Sequence, residues 1–218
     1  MKTNKLIDHT YLKAFGTKKD IGDLIEEAKT YDFKSVCINP VHVAYAREQL
    51  KESDVLVCTV IGFPLGANTT ETKVFETLNA VKNGADEIDM VINIGKLKER
   101  DYDYIKNEVN EVCRAAGDKL VKVIVEICYL DDEEIKKISE VIGQTKADFI
   151  KTSTGFGTGG ASVEAVKIMK NNVNGKDVKA AGGVRSKEDL DAMVDAGASR
   201  IGASSGVAIM KGLEGSDY

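Results

Sequence analysis

The sequence predicts an α/β protein built as a single (β/α)8 TIM barrel, because strand-like and helix-like patterns alternate along nearly its whole length. Eight short apolar runs of strand length are each followed by an amphipathic segment. Strict alternation of strand and helix indicates parallel pairing through right-handed crossovers. Eight such units in about 200 residues reach the lower size limit of a closed barrel. A doubly wound open sheet is the alternative.

The individual elements follow from local patterns. The predicted strands are Lys5–Asp8, Lys34–Asn39, Val55–Gly62, Asp86–Asn93, Leu120–Ile127, Ala147–Thr152, Asp177–Ala181 and Arg200–Ala203. Several helices begin at cap signals, such as Asp131 with Glu134 three positions on, and others end at a glycine such as Gly84. The predicted helices are Lys19–Tyr31, Pro40–Lys51, Thr70–Asn83, Lys98–Ala116, Asp131–Gln144, Ser162–Asn172, Ser186–Ala196 and Gly206–Leu213.

A short repeat at the step from helix end to strand supports closure of the barrel. It occurs in segments 84–89, 146–151 and 197–202. In each segment an isoleucine is followed at once by a residue that breaks the apolar pattern. If the isoleucine packs outward against helices, then Asp89, Lys151 and Gly202 point into the barrel at similar depth.

The composition narrows the class of protein. The chain has 218 residues, of which 43% are hydrophobic and 30% charged, as in soluble globular proteins. A net charge of -5 without a dense basic run argues against nucleic-acid binding. We expect no membrane association and a cytoplasmic protein, because the sequence lacks a membrane-length apolar run and a signal peptide. The four scattered cysteines are expected to be reduced, and only two histidines argue against a histidine-rich metal site.

Several predicted strands carry charges on one face, although parallel barrel strands are normally apolar on both faces. The two-residue period of a strand collects Glu87, Asp89, Lys122, Glu126, Asp177 and Lys179 at polar-face positions. Structural ion pairs are one explanation. We favour a catalytic one, because barrel enzymes place their chemistry near the C-terminal ends of the strands.

Lys151 stands where the sixth strand gives way to a loop of glycines and hydroxyl residues. By itself it suits a solvated rim position, since lysine is rarely buried without a partner. Lys179, on the next strand at comparable height, changes this interpretation. A neighbouring cation and partial desolvation both disfavour the charged amine, which suits a Schiff-base nucleophile. Asp89 is then a candidate for relaying protons.

Two loops rich in small residues follow the last two strands, at positions 181–185 and 202–206. Their accessible backbone N–H groups, and the helix N-termini beyond, predict a phosphate site, although simple tight turns are the alternative. Segment 155–160 also matches G-x-G-x-x-G. We do not predict a dinucleotide cofactor, because the next strand ends in Ala180 and Ala181 where an acidic residue is expected.

The chain resembles the deoxyribose-phosphate aldolases, a family of class I, metal-independent aldolases. The resemblance runs in order through segments 7–10, 36–40, 60–66, 87–91, 151–156, 179–185 and 202–206. Each segment alone is modest evidence, but the ordered set is highly specific. The resemblance implies reversible cleavage of 2-deoxy-D-ribose 5-phosphate to acetaldehyde and D-glyceraldehyde 3-phosphate, in deoxyribonucleotide catabolism and without a cofactor or metal.

The resemblance also implies roles for individual residues. Lys151 is the Schiff-base lysine, Lys179 the lysine that perturbs it, and Asp89 the proton-relay carboxylate. The residues implied to bind phosphate and substrate are Thr152, Gly155, Gly182, Gly183, Gly202, Ser204 and Ser205. Some family members use a C-terminal tyrosine in proton transfer, which makes Tyr218 a candidate at the end of a tail from about residue 214; a disordered end is the alternative. The family also leads us to expect a homodimer.

Two departures and two alternatives remain open. Tyr11 and Ile127 stand where the family pattern has leucine and threonine, which leaves fine specificity undecided. One alternative is another phosphosugar barrel, either a different Schiff-base aldolase or an isomerase with Asp89 or Glu126 as base. The other is a non-catalytic barrel that binds phosphoesters and keeps structural lysines.

Overall fold

The computed structural model describes residues 2–215. Eight parallel strands close into a barrel in sequence order: β1 (Ile7–Tyr11), β2 (Ser35–Ile38), β3 (Leu56–Ile61), β4 (Glu87–Val91), β5 (Leu120–Ile124), β6 (Phe149–Lys151), β7 (Asp177–Ala181) and β8 (Arg200–Ala203). Closure occurs between β1 and β8, where Asp8 lies opposite Gly202. The closed barrel is confirmed, and the open doubly wound sheet is wrong because both would-be edge strands are paired.

Helices connect the strands and cover the outside of the barrel. They are α1 (Lys18–Thr30), α2 (Val43–Gln49), α3 (Thr70–Lys82), α4 (Ile94–Lys98), α5 (Tyr102–Ala116), α6 (Asp132–Gly143), α7 (Val163–Asn172), α8 (Lys187–Asp195) and α9 (Gly206–Met210). Short 3-10 turns occupy Thr3–Leu6, Pro40–His42 and Ile127–Tyr129. The capping box predicted at Asp131 and Glu134 is present at the start of α6. Among residues 2–215, no helix is long and apolar enough to cross a membrane.

The structure shifts several predicted element boundaries, and three of these shifts have a local backbone cause. The first strand begins at Ile7, later than predicted, because residues 3–6 form a 3-10 turn. The predicted helix Lys98–Ala116 is two helices, since Arg100 adopts a left-handed φ of 59° and Asp101 caps α5. The fifth strand ends at Ile124 rather than Ile127, because Glu126 has a left-handed φ of 55°.

The apolar core lies between the barrel and its helices. The repeat isoleucines Ile88, Ile150 and Ile201 are fully buried in this core, as the outward-packing prediction requires. Their chain neighbours Asp89 and Lys151 consequently face the interior, because successive residues of a strand point to opposite sides. The inward faces of the strands therefore carry charged side chains, whereas their outward faces pack against the helices in the hydrophobic core.

Candidate active site

Strand register places the ionisable side chains next to one another inside the barrel. Asp89 lies opposite Lys122, Lys151 lies opposite Lys179, and Lys179 lies opposite Arg200 on the following strand. All five residues are at most 5% exposed. Buried cations need partners, and here each cation has at least one carboxylate.

Asp89 contacts all three lysines of this network. Its Oδ2 accepts hydrogen bonds from Lys151 Nζ and Lys179 Nζ, both at 2.7 Å. Its Oδ1 accepts from Lys122 Nζ at 2.9 Å and lies 3.2 Å from Cys58 Sγ. Burial alone raises the pKa of Asp89, but the three lysines outweigh it and hold that pKa well below its usual range. Asp89 is therefore a carboxylate at neutral pH.

Lys179 is held as a cation. Its Nζ lies 2.5 Å from Asp8 Oδ2 and 2.7 Å from Asp89 Oδ2. Burial lowers the pKa of Lys179, but the two carboxylates raise it by more, and the net pKa lies above its ordinary value. Lys179 thus places a lasting positive charge beside Lys151.

The rest of the network includes Asp8, Glu87 and Arg200, to which we assigned no individual role from the sequence. Asp8 Oδ1 accepts from Arg200 Nη1 and from Ser35 Oγ, both at 2.7 Å. Glu87 lies 2.9 Å from Arg200 Nη1 and 2.5 Å from Lys122 Nζ. The signal for Asp8 and Arg200 was present, since both lie in predicted strands at positions that period two directs inward.

A cavity of about 340 Å³ opens above Lys151 at the C-terminal ends of the strands. It is lined by five of the predicted phosphate and substrate residues: Gly155, Gly182, Gly183, Gly202 and Ser204. Gly182 and Gly183 have left-handed φ values of 86° and 79°, a conformation that glycine adopts without strain. A Cβ on Gly202 would lie 3.2 Å from Lys179 Cε, so a larger residue would press on the lysine pair. Arg185, to which we assigned no role, lines the same cavity.

The other predicted site residues lie elsewhere. Thr152 is fully buried, and its hydroxyl hydrogen-bonds to the backbone of Ala181, both bonds at 3.0 Å, so it ties β6 to β7 and does not line the cavity. Ser205 lines an adjoining cavity of about 530 Å³ beside α1, which shares Thr10 and Ser204 with the first cavity but does not include Lys151. Tyr11 lines that second cavity as well, whereas Ile127 is part of the apolar core. Tyr218 lies outside the described residues.

Two charges of the predicted polar face are not in the central network. Asp177 is exposed at the start of β7 and accepts a hydrogen bond from Ser199 Oγ at 2.9 Å. Glu126 lies beyond the end of β5, and its carboxylate accepts hydrogen bonds from the backbone N–H and hydroxyl of Thr154. It therefore holds the loop after β6, an arrangement that leaves it poorly placed as the base of an isomerase.

Cys37, Cys58 and Asp89 bring three potential metal ligands within 4.8 Å of one another. Cys37 and Cys58 are register partners on β2 and β3. The pKa of the Cys58 thiol is raised well above its usual value, mainly by burial. Both oxygens of Asp89 already face lysine ammonium groups. These ammonium groups would repel a metal cation, so the residues fit an ion-pair network better than a metal site.

Comparison with known proteins decides the family. Residues 3–212 match the family model of the DeoC/LacD family aldolases. The chain belongs to this family. It is therefore an aldolase, a lyase, and the isomerase and non-catalytic alternatives fall away.

Relatives match the chain over nearly its full length. The deoxyribose-phosphate aldolase of Staphylococcus carnosus is 60% identical over 216 residues, covering 98% of each chain. The solved structure of the aldolase QR15 is 42% identical with a TM-score of 0.93, covering 97% of this chain and 95% of its own. The deoxyribose phosphate aldolase of Aeropyrum pernix, whose structure is tetrameric, is 32% identical with a TM-score of 0.90, covering 96% and 89%.

Proposed function

We propose that this aldolase reversibly cleaves 2-deoxy-D-ribose 5-phosphate to acetaldehyde and D-glyceraldehyde 3-phosphate through a Schiff base on Lys151. The activity named for the Staphylococcus carnosus relative supports the substrate. One observation carries the mechanism: Lys151 is a buried lysine that lines a cavity together with the glycine-rich loops after β7 and β8. Its Nζ lies 2.7 Å from Oδ2 of Asp89, the proposed proton partner.

The charges of the network support Lys151 as the lysine that loses its proton. Four cations, Lys122, Lys151, Lys179 and Arg200, share three carboxylates, Asp8, Glu87 and Asp89. The fully ionised network therefore carries one excess positive charge. Lys151 contacts one of these carboxylates, whereas each of the other cations contacts at least two. Lys151 is therefore the cation with the fewest carboxylate partners, and we propose that it is the one that reacts as a free amine.

Asp89 is proposed to relay protons during carbinolamine formation, dehydration and enamine protonation. Three lysines depress its pKa. When Lys151 becomes a neutral amine, one of those three cations is lost, so Asp89 becomes a stronger base. Lys179 remains charged, and its ammonium group shares Asp89 Oδ2 with that of Lys151. The two lysines and the carboxylate thus act as one coupled group.

The phosphate of the substrate is proposed to bind at the opposite end of the cavity, against Gly182, Gly183, Gly202 and Ser204, with Gly155 beside the sugar. Successive backbone N–H groups in left-handed glycines form concave anion sites. The loops that supply these residues follow β7 and β8, as in many barrels that bind phosphate. We do not propose Thr152 or Ser205 as direct ligands, given their positions outside this cavity.

Further proposals concern the domain, the C-terminal tyrosine, the cellular setting and the oligomeric state. We propose that residues 1–218 act as one domain, that Tyr218 assists proton transfer, and that the protein works in the cytoplasm, in deoxyribonucleotide breakdown. Four free cysteines are consistent with a reducing compartment. We also propose a homodimer, because Phe75 and Leu78 of α3 are 69% and 52% exposed and lie one turn apart on that helix.

Borohydride trapping with acetaldehyde, followed by peptide mass spectrometry, tests the proposed function. We expect a reduced ethyl adduct on Lys151. The control is the Lys151→Met variant, which should lose the adduct but still bind inorganic phosphate. If the wild-type protein binds the phosphosugar and no lysine is modified, the Schiff-base mechanism is wrong.

A further inference from the structure

A fully buried ion pair lies outside the barrel, between α3 and α5. Lys73 Nζ is 2.7 Å from Glu108 Oε1, and both side chains are 0% exposed. Burial lowers the pKa of Lys73 and raises that of Glu108, so the pairing does not fully offset the loss of water. Well-packed apolar residues are often at least as stabilising as such a pair. Stability alone therefore does not account for these two charges.

The pair contacts the chain just after two adjacent strands. Glu108 Oε2 accepts a hydrogen bond at 3.0 Å from the backbone N–H of Asn93, two residues beyond β4, the strand that carries Asp89. The aliphatic stem of Lys73 packs beneath Gly62, the first residue after β3, where an added Cβ would lie 2.8 Å from Lys73 Cε. One ion pair thus supports the exits of both strands.

The turn at Gly62 leads directly to the apolar side of the active site. The next residue, Phe63, packs against a cluster formed by Leu12, Cys37, Cys58 and Val60. Its ring also meets Phe156 edge to face, with 5.3 Å between centroids. Leu12 lines the cavity together with Lys151, and Phe156 lies in the loop that follows Lys151. Phe63 therefore braces an apolar wall beside the nucleophile.

We propose that Lys73 and Glu108 are positioning residues that hold this wall against the aldehyde bound at Lys151. An acetaldehyde-derived group presents a methyl carbon, which an apolar wall orients and shields from water. Within residues 2–215, the side chains of this pair bond to each other and to the Asn93 N–H, and not to the phosphate loops after β7 and β8. The pair therefore acts on the aldehyde end of the site and leaves the phosphate end unchanged; this inference rests on the proposed function.

The test replaces both charges at once, with Lys73→Met and Glu108→Leu combined in one protein. Because no unpaired charge is left behind, we expect the double variant to fold, with a thermal midpoint lowered only by the lost acceptor of the Asn93 N–H. We expect kcat/KM for acetaldehyde in the synthetic direction to fall by roughly tenfold to a hundredfold, as small misplacements of a substrate do. Competitive inhibition by inorganic phosphate should keep its wild-type constant. The matched control is the exposed pair Glu48 and Lys51, changed to Gln together, which should alter none of these quantities.

Two outcomes would overturn the inference. One is a stable double variant with wild-type acetaldehyde kinetics, which would leave the pair a packing role only. The other is an equal loss of phosphate affinity, which would indicate general loosening. If the double variant does not fold, Lys73→Met combined with Glu108→Gln leaves no unpaired charge and keeps an acceptor for the Asn93 N–H. This variant should still raise the KM for acetaldehyde, and wild-type kinetics would contradict the proposal. Borohydride labelling of wild-type Lys151 tests the proposed function separately.

Discussion

Lys151 and Lys179 are register partners on β6 and β7, and their ammonium groups contact the same oxygen of Asp89, each at 2.7 Å. One carboxylate oxygen therefore serves two cations at equal distance. Only Lys151 also lines the cavity, and only Lys179 has a second carboxylate at 2.5 Å. The two lysines thus have different environments: that of Lys151 suits reaction with a substrate, and that of Lys179 suits a permanent charge.

Removing the proposed nucleophile should abolish turnover. For Lys151→Ala we expect kcat to fall by roughly 10⁴-fold or more, because no other cation in the network lines the cavity as a nucleophile. The measurement is release of acetaldehyde from 2-deoxy-D-ribose 5-phosphate. Folding is checked by the thermal midpoint, and appreciable residual activity would exclude Lys151 as the nucleophile.

Removing the neighbouring cation should slow the reaction at neutral pH and shift its pH dependence. In Lys179→Leu, the network has three cations and three carboxylates, and Lys151 loses the cation with which it shares Asp89 Oδ2. We expect the rate at neutral pH to fall and the acid limb of the pH–rate profile to move to higher pH. Lys179→Arg keeps the charge and serves as the control. An unchanged profile in the leucine variant would refute this coupling.

Neutralising the shared carboxylate should slow proton transfer. Asp89→Asn keeps the size of the side chain but cannot relay a proton, and we expect kcat to fall by about 10²- to 10⁴-fold. Breaking a buried ion-pair network from one side also costs about 3–5 kcal/mol of stability. Borohydride trapping at a series of reaction times separates slower proton transfer from loss of folding. Lys151 should still be labelled, but more slowly. Wild-type kinetics in a folded variant would remove Asp89 from the mechanism.

Acid should destabilise the fold in a defined range. The pKa values of Asp8 and Asp89 are lowered in the folded protein, where burial is outweighed by the neighbouring lysines, and by Arg200 for Asp8. Their stabilisation is therefore complete above the unfolded value, about 3.9, and is lost as pH falls below it toward the folded values. The measurement is the free energy of unfolding in urea at pH values from about 6 to about 2.5, which bracket the unfolded pKa of aspartate. A free energy of unfolding that stays constant below about pH 4 would contradict it.

Local pattern was sufficient for the architecture and the central residues. Period two within single strands directed Asp89, Lys122, Lys151 and Lys179 inward, because side-chain alternation depends only on the strand's own backbone. The capping signal at Asp131 likewise acts within one turn of helix. These features were predictable because each depends on residues a few positions apart.

Partnerships between distant elements were decided only by the tertiary structure. Asp8 meets Arg200 across 192 positions of sequence, and this contact exists only because β1 closes on β8 in one register. In the sequence, Lys73 and Glu108 resemble charged residues on the surface of amphipathic helices. In the structure, packing of α3 against α5 buries both side chains. Glu126 itself adopts a left-handed φ, so it does not continue β5 and does not lie on the predicted polar face. The sequence by itself determined which residues face inward; closure of the barrel and packing of its helices decided which of them meet, because those distances depend on the whole chain at once.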